Sequence, residues 1–421
     1  MRILIANRHG IRSTLIVVFF LIFSFFRIPL FLSIPLCSLT LSILLLNSTL
    51  SKKTCLNIWL FSFLPLTLFN LLADPSIIYN SPPGDFQAYY SHSLDLNPQY
   101  SSKAYASPIN TLWLTEPVIR IFYFLASRFS DENFYLVTLS LFFTVSYLYI
   151  CYKISPTKNH FVLLAFFVFS FKVPFFVQGI WLVRQDISWL FFWLSIACND
   201  RKFLRIIFLT FSVLSHNTIV AMFALTYVSS PFQPFIENVF SLKPSIFLVI
   251  RLRQLVVRLV LSISLFTLLY LAYSLIEARG SLETNSLIQT SPPVFVFAYS
   301  LLACLFFFYR SSFHPRELLY LSETVWGLFV TTICGLALIP FGGIFSMRQA
   351  SGVVMVAPIV LVSILLTYLS KQPSLKSNYN IYGTILLLFS FFKFSQNLYS
   401  PASYQTYLIP ITHSSIFNLL T

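Results

Sequence analysis

Residues 73–133 read ADPSIIYNSPPGDFQAYYSHSLDLNPQYSSKAYASPINTLWLTEPVIRIFYFLASRFSDEN, the only long stretch of this chain that a lipid bilayer would reject. It holds Asp74, Asp85, Asp95, Glu116, Asp131 and Glu132, six of the thirteen acidic residues among 421, and it is flanked on both sides by Phe, Leu, Ile and Val. Connections between elements mostly run to about 4–6 residues, so a polar insert of about sixty on an apolar scaffold reads as a working part.

Outside that stretch, composition decides the class. Hydrophobic residues make up 57% of the chain, with 48 Phe, 10% charged residues and a mean hydropathy of +0.80. No soluble domain could bury so much apolar surface. Runs of about 17–25 apolar residues recur toward the C-terminus, each able to cross about 30 Å of hydrocarbon as a helix that satisfies its own backbone. The expected fold is all-α: one integral, polytopic membrane domain over residues 1–421, with about 11 to 13 transmembrane helices and 73–133 as its large extracytoplasmic loop. The net charge of +14 does not point to nucleic acid, because Lys and Arg fall singly or in short groups beside the spans. The positive-inside rule explains that placement, and the basic patch with an aromatic platform that nucleic acid requires is missing. Cys37, Cys55, Cys151, Cys198, Cys304 and Cys334 are scattered and mostly lie in apolar runs, which predicts neither disulfides nor thiolate-bound metal.

The apolar run 14–46 follows Arg2, Arg8 and Arg12 and is too long for one straight span. Arg27, Pro29 and Pro35 in its middle predict a tight helical hairpin, with Lys52 and Lys53 on the cytoplasmic side. The next span, 56–72, delivers the polar loop to the outside. Further spans are expected at 134–151, 160–178, 180–198, 206–228, 256–277, 293–309, 318–340, 351–369 and 380–396, with a short or re-entrant crossing near 235–250. The loops bearing Lys153 and Lys158, then Arg201, Lys202 and Arg205, then Arg310 and Arg316, fall inside by parity. No inverted repeat is visible; Arg184-Gln185 and Arg348-Gln349 are a two-residue echo.

Within the loop, Pro82-Pro83-Gly84 makes a turn into Asp85, and a helix from there sets Asp85, Tyr89 and His92 on one face. A second helix starts at Pro117, with Val118, Ile121, Phe122 and Leu125 forming an apolar stripe suited to the membrane interface. Ser130-Asp131-Glu132 caps the next span. Each candidate for chemistry has a structural counterpart. Glu116 is a carboxylate at a helix start or a catalytic group, Asp85 is an Asx turn or a base, and His92 is a solvated loop histidine. Arg184, between Trp181 and Trp189, is either an interface anchor paired with Asp186 or an anion ligand on the outer side, and Arg348 is weighed in the same way. Two arginines facing one outer cavity suit phosphate oxygens. Ser215-His216-Asn217-Thr218 places polar groups inside an apolar run, where His216 either bonds across helices or acts as base or phosphate partner.

Taken in order, Gly84-Asp85 with Tyr89, Glu116-Pro117, Arg184-Gln185, Ser215-His216-Asn217 and the late Arg348 resemble the EpsG-type family of exopolysaccharide polymerases, which are Wzy-like. The resemblance spans roughly 56–227 and implies glycosyl transfer between polyprenyl-diphosphate-linked oligosaccharides at the outer face of a bacterial inner membrane, on a GT-C-like scaffold. It implies a site with Asp85, Glu116 and His216 as catalytic candidates and Arg184, Gln185, Arg348 and Tyr89 on the substrate. It needs no cofactor and no metal, and sets the chain beside membrane lipid, a flippase and a chain-length regulator. Rival readings are a transferase using a polyprenyl-monophosphate sugar, a membrane O-acyltransferase, and a lipid-linked glycan transporter.

Overall fold

Long apolar runs leave the backbone no partner but itself in hydrocarbon, and helices are the result. The computed structural model of the chain describes residues 30–64, 67, 117–126, 132–171, 183–216, 222, 226, 229, 294–309, 318–339 and 343–371. Among the described residues there is no strand. In chain order the helices are α1 (Leu30–Asn47), α2 (Lys52–Phe63), α3 (Pro117–Ala126), α4 (Glu132–Ile154) and α5 (Lys158–Phe171), then α6 (Val183–Ala197), α7 (Lys202–Ser215), α8 (Val294–Tyr309), α9 (Leu319–Leu338) and α10 (Gly343–Lys371). Leu136–Ile154, Leu319–Leu338 and Gln349–Tyr368 are long and apolar enough to cross a membrane.

The chain divides into two compact units. The first comprises Met1–Ser107, Ile121–Val183 and Tyr368–Thr421, and its described core is two helical hairpins, α1–α2 and α4–α5, packed against each other. Both turns have one design. Ser51 Oγ accepts from the Thr54 N–H at 3.1 Å and Thr157 Oγ1 from the His160 N–H at 3.3 Å, and each capping residue is followed by a lysine. That lysine reaches the other hairpin. Lys158 Nζ donates to the carbonyls of Leu45 at 2.9 Å, Leu46 at 3.3 Å and Ser48, at the end of α1; Lys52 Nζ donates to Ser155 O, just past the end of α4. A cation thus meets the negative end of a helix dipole and takes up carbonyls that have no helical partner.

The second unit comprises Pro108–Arg120 and Arg184–Thr367. In it α8 packs along α9, where Gly335 lets the Phe297 ring in: a Cβ there would lie 2.3 Å from the ring.

Two expectations need correction. Pro35 does not turn the chain, since α1 runs unbroken from Leu30 and holds Pro35 inside it. A membrane helix keeps a proline where neighbouring groups take up the freed carbonyl. The run 206–228 is not one straight helix either: α7 stops at Ser215 and His216 is extended, at φ −159° and ψ 125°. Elsewhere α3 begins at Pro117, as its fixed φ dictates. Ile121, however, is 52% exposed while Val118 and Ile119 are buried, because apolar spacing does not say which apolar residues meet protein. Residues 14–29, 256–277 and 380–396, the crossing near 235–250, and the polar loop apart from α3 and the start of α4, lie outside the described residues.

Candidate functional site

Helices α6 and α7 form a hairpin through a tight turn in which the Arg201 N–H donates to Cys198 O at 2.8 Å. Asn199 Nδ2 donates to Glu323 on α9, and Arg205 donates to Asn199 Oδ1, so the turn end is a polar cluster. The register is set midway by two reciprocal bonds. Ser188 Oγ donates to Ser212 O at 2.6 Å and Ser212 Oγ donates to Ser188 O at 2.8 Å, both buried. In hydrocarbon a hydroxyl that reaches a facing helix holds two spans at a fixed level. One turn before Ser188 on α6 is Arg184; one turn after Ser212 on α7 is His216. The register therefore carries Arg184 and His216 to the same, open end of the hairpin, about 20 Å from its turn at 1.5 Å per residue. There the His216 N–H closes the last turn of α7 onto Ser212 O at 3.2 Å.

Helix α10 joins this end. Its Gly352 lies under the Trp189 indole, where a Cβ would come within 2.3 Å of the ring, and Trp193 Nε1 donates to Gly352 O at 3.0 Å. Ser351 Oγ donates to Asp186 Oδ1. Direction follows from α9, which starts near the turn end, where Glu323 meets Asn199, and passes Ile196 and Trp193 at Gly327. Only four residues separate Leu338 from the start of α10, so α10 begins at the open end and runs the same way as α6.

That places the echo seen in the sequence on two parallel helices in contact. Asp186 and Ser351 join them; Arg184-Gln185 precedes the one and Arg348-Gln349 the other. Gln185, Asp186 and Gln349 are buried, and Arg184 is half-buried. Of the sequence-derived candidates, the fold thus gathers Arg184, Gln185, His216 and the α10 turn that carries Arg348. Asp85, Tyr89 and Glu116 lie outside the described residues. Reading by composition missed Gln349 and Ser351, although the repeated Arg-Gln was their signal. Guanidinium, amide and imidazole are the types of group that bind anions carrying hydrogen-bonding groups. Among the described residues no group of three or more His, Cys, Asp or Glu is placed to hold a metal ion. Cys55, Cys151, Cys198, Cys304 and Cys334 are buried free thiols.

No curated protein and no solved structure matches this chain. The EpsG family model matches residues 58–410, most of its length, and reaches well past the motifs that carry the resemblance. The helices of the described residues, three of them long and apolar enough to cross a membrane, fit that match, and the chain belongs to the EpsG family, a Wzy-like polymerase family, which makes it polymerase-like in polysaccharide biosynthesis.

Proposed function

We propose that this protein joins polyprenyl-diphosphate-linked oligosaccharide repeat units into exopolysaccharide or O-antigen at the outer face of a bacterial inner membrane, with 73–133 on that face. The observation that carries this reading is the Asp186–Ser351 bond, which joins the helices bearing Arg184-Gln185 and Arg348-Gln349. In the reaction a sugar hydroxyl of one lipid-linked unit attacks the anomeric carbon of another. A glycosidic C–O bond forms, the C–O bond to the diphosphate breaks, and its electron pair leaves with the polyprenyl diphosphate. Fixed cations stabilise the charge that develops on the leaving group; Arg184 and Arg348 supply them, and Gln185 supports the contact. The hydroxyl proton goes to a positioned base. Asp85 takes that part from the outer loop while Tyr89 stacks on a sugar ring. Glu116, tied to the start of α3 by Pro117, orients the loop, and His216 donates to phosphate. A lipid diphosphate is already an activated donor, so neither nucleotide nor redox cofactor takes part. A flippase would deliver the substrate and a chain-length regulator would act on the product.

The test is chain-length analysis of glycan from cells with equal levels of each variant. Arg184→Lys keeps the charge but loses the planar fork, and most polymer should disappear. Asp85→Asn should cost about 10²- to 10⁴-fold in polymerisation. Normal polymer from Arg184→Lys returns that residue to an interface anchor; long polymer from Asp85→Asn, with single units from Glu116→Gln or His216→Ala, moves the base.

A further inference from the structure

Gln349 is only 7% exposed, and its Oε1 is buried without any hydrogen-bond partner. A buried acceptor in that condition is destabilising, and a partner that arrives there removes the penalty. Gln349 stands one turn before Gly352 on α10 and so shares the face that meets Trp189. It also follows Arg348 directly, at the end where Arg184 and Gln185 lie on α6.

The amide oxygen restricts what can arrive. It is an acceptor only, and an ionised phosphate oxygen is an acceptor too, so a diphosphate alone cannot satisfy it. The arriving group must bring an O–H or N–H. On the proposed function Arg184 and Arg348 hold the diphosphate, and an amide oxygen that calls for a donor on the same turn as Arg348 then suits a ligand in which phosphate and hydroxyl are close neighbours. A sugar 1-diphosphate has that pattern.

We infer that Gln349 Oε1 accepts a hydrogen bond from a hydroxyl or N–H of the sugar joined directly to the diphosphate, so that α10 distinguishes a loaded polyprenyl carrier from a spent one. This rests on the function proposed above and adds a direction to it. Once the sugar is transferred, the departing polyprenyl diphosphate no longer satisfies Gln349, and the site holds the product less tightly than the donor.

Competition binding to the full-length protein in lipid nanodiscs tests this with two probes: bare polyprenyl diphosphate, and the polyprenyl-diphosphate-linked glycan extracted from cells lacking the protein. Wild type should prefer the glycan-bearing lipid. Gln349→Met, near in size but with no acceptor, should reduce that preference by about 2- to 12-fold, the worth of one net hydrogen bond, with bare-lipid affinity unchanged. Gln349→Glu keeps acceptor oxygens and should keep the preference, even where its charge weakens both lipids alike. Without lipid, Gln349→Met should melt no lower than wild type, because it removes an unsatisfied buried group. A lower melting temperature, equal loss for both lipids, an unchanged preference in Gln349→Met, or loss of preference in Gln349→Glu would each overturn the inference. Wild type that binds both lipids without preference overturns it alone; wild type that binds neither overturns the proposed function with it.

Discussion

Ser351 has one hydroxyl to donate, and it goes to a carboxylate that is only 7% exposed. Ser351→Ala should therefore cost about 1–3 kcal/mol of stability, the penalty of a buried acceptor stripped of a partner. A thermal double-mutant cycle with Asp186→Ala checks it, and the two losses should not add. Strict additivity would mean the bond contributes nothing. Lys52 makes a second prediction at this scale. Burial, and after it the neighbouring Lys153, lower its pKa from 10.5 to about 8. The folded-state value lies below the unfolded one, so between about 8 and 10.5 the unfolded chain holds a proton that the folded chain has released. Stability should rise with pH across that window, and below about pH 8 the penalty of the charge is fully present. The neutral amine still has N–H groups for Ser155 O, so the contact survives the titration. Melting temperature measured across the window should climb in wild type and climb less in Lys52→Met; parallel profiles would remove Lys52 from the account.

Among the elements, α6 is held where glycines admit large side chains. A Cβ at Gly352 would meet the rigid Trp189 indole at 2.3 Å, whereas one at Gly327 would meet the flexible tip of Ile196 at 2.8 Å. Gly352→Ala should cost about 1–3 kcal/mol and part the helices that carry the two Arg-Gln pairs, while Gly327→Ala should be milder. Thermal unfolding in detergent separates them, and equal effects would refute the ranking. This contrast also shows what a sequence can reveal. Apolar length located α4, α8 and α9 within a few residues, because hydrocarbon thickness is a one-dimensional constraint. It ran straight through the end of α7 at Ser215, although the polar run Ser215-His216-Asn217-Thr218 marks the place, because one polar turn barely lowers the hydropathy of a whole span. Nor could it pair Ser188 with Ser212 or Asp186 with Ser351, which are long-range contacts between small polar side chains that each look incidental alone. The Arg-Gln echo was visible, but its meaning depends on two helices running the same way.

At the scale of the molecule, basic residues gather at described turns in each unit. Lys52 and Lys158 meet at the paired turns of the first unit, while Arg201, Lys202 and Arg205 crowd the turn end of the α6–α7 hairpin, opposite Arg184. The positive-inside rule predicts that Lys53 lies inside and the polar loop outside, so an impermeant maleimide on intact spheroplasts should label Ser102→Cys and spare Lys53→Cys. Reversed labelling would invert the topology and remove the outer-face mechanism. The crossed lysines have a further consequence, in biogenesis. Lys158 is translated more than a hundred residues after Leu45, whose carbonyl it takes up. At about 5–20 residues per second, the first hairpin waits in the membrane for roughly 5–20 s before its counterpart exists. Until then the carbonyls at the end of α1 lack the ammonium that takes them up in the folded protein. A chain lacking Lys158 would keep those carbonyls open after synthesis is complete, and its level in the membrane should fall.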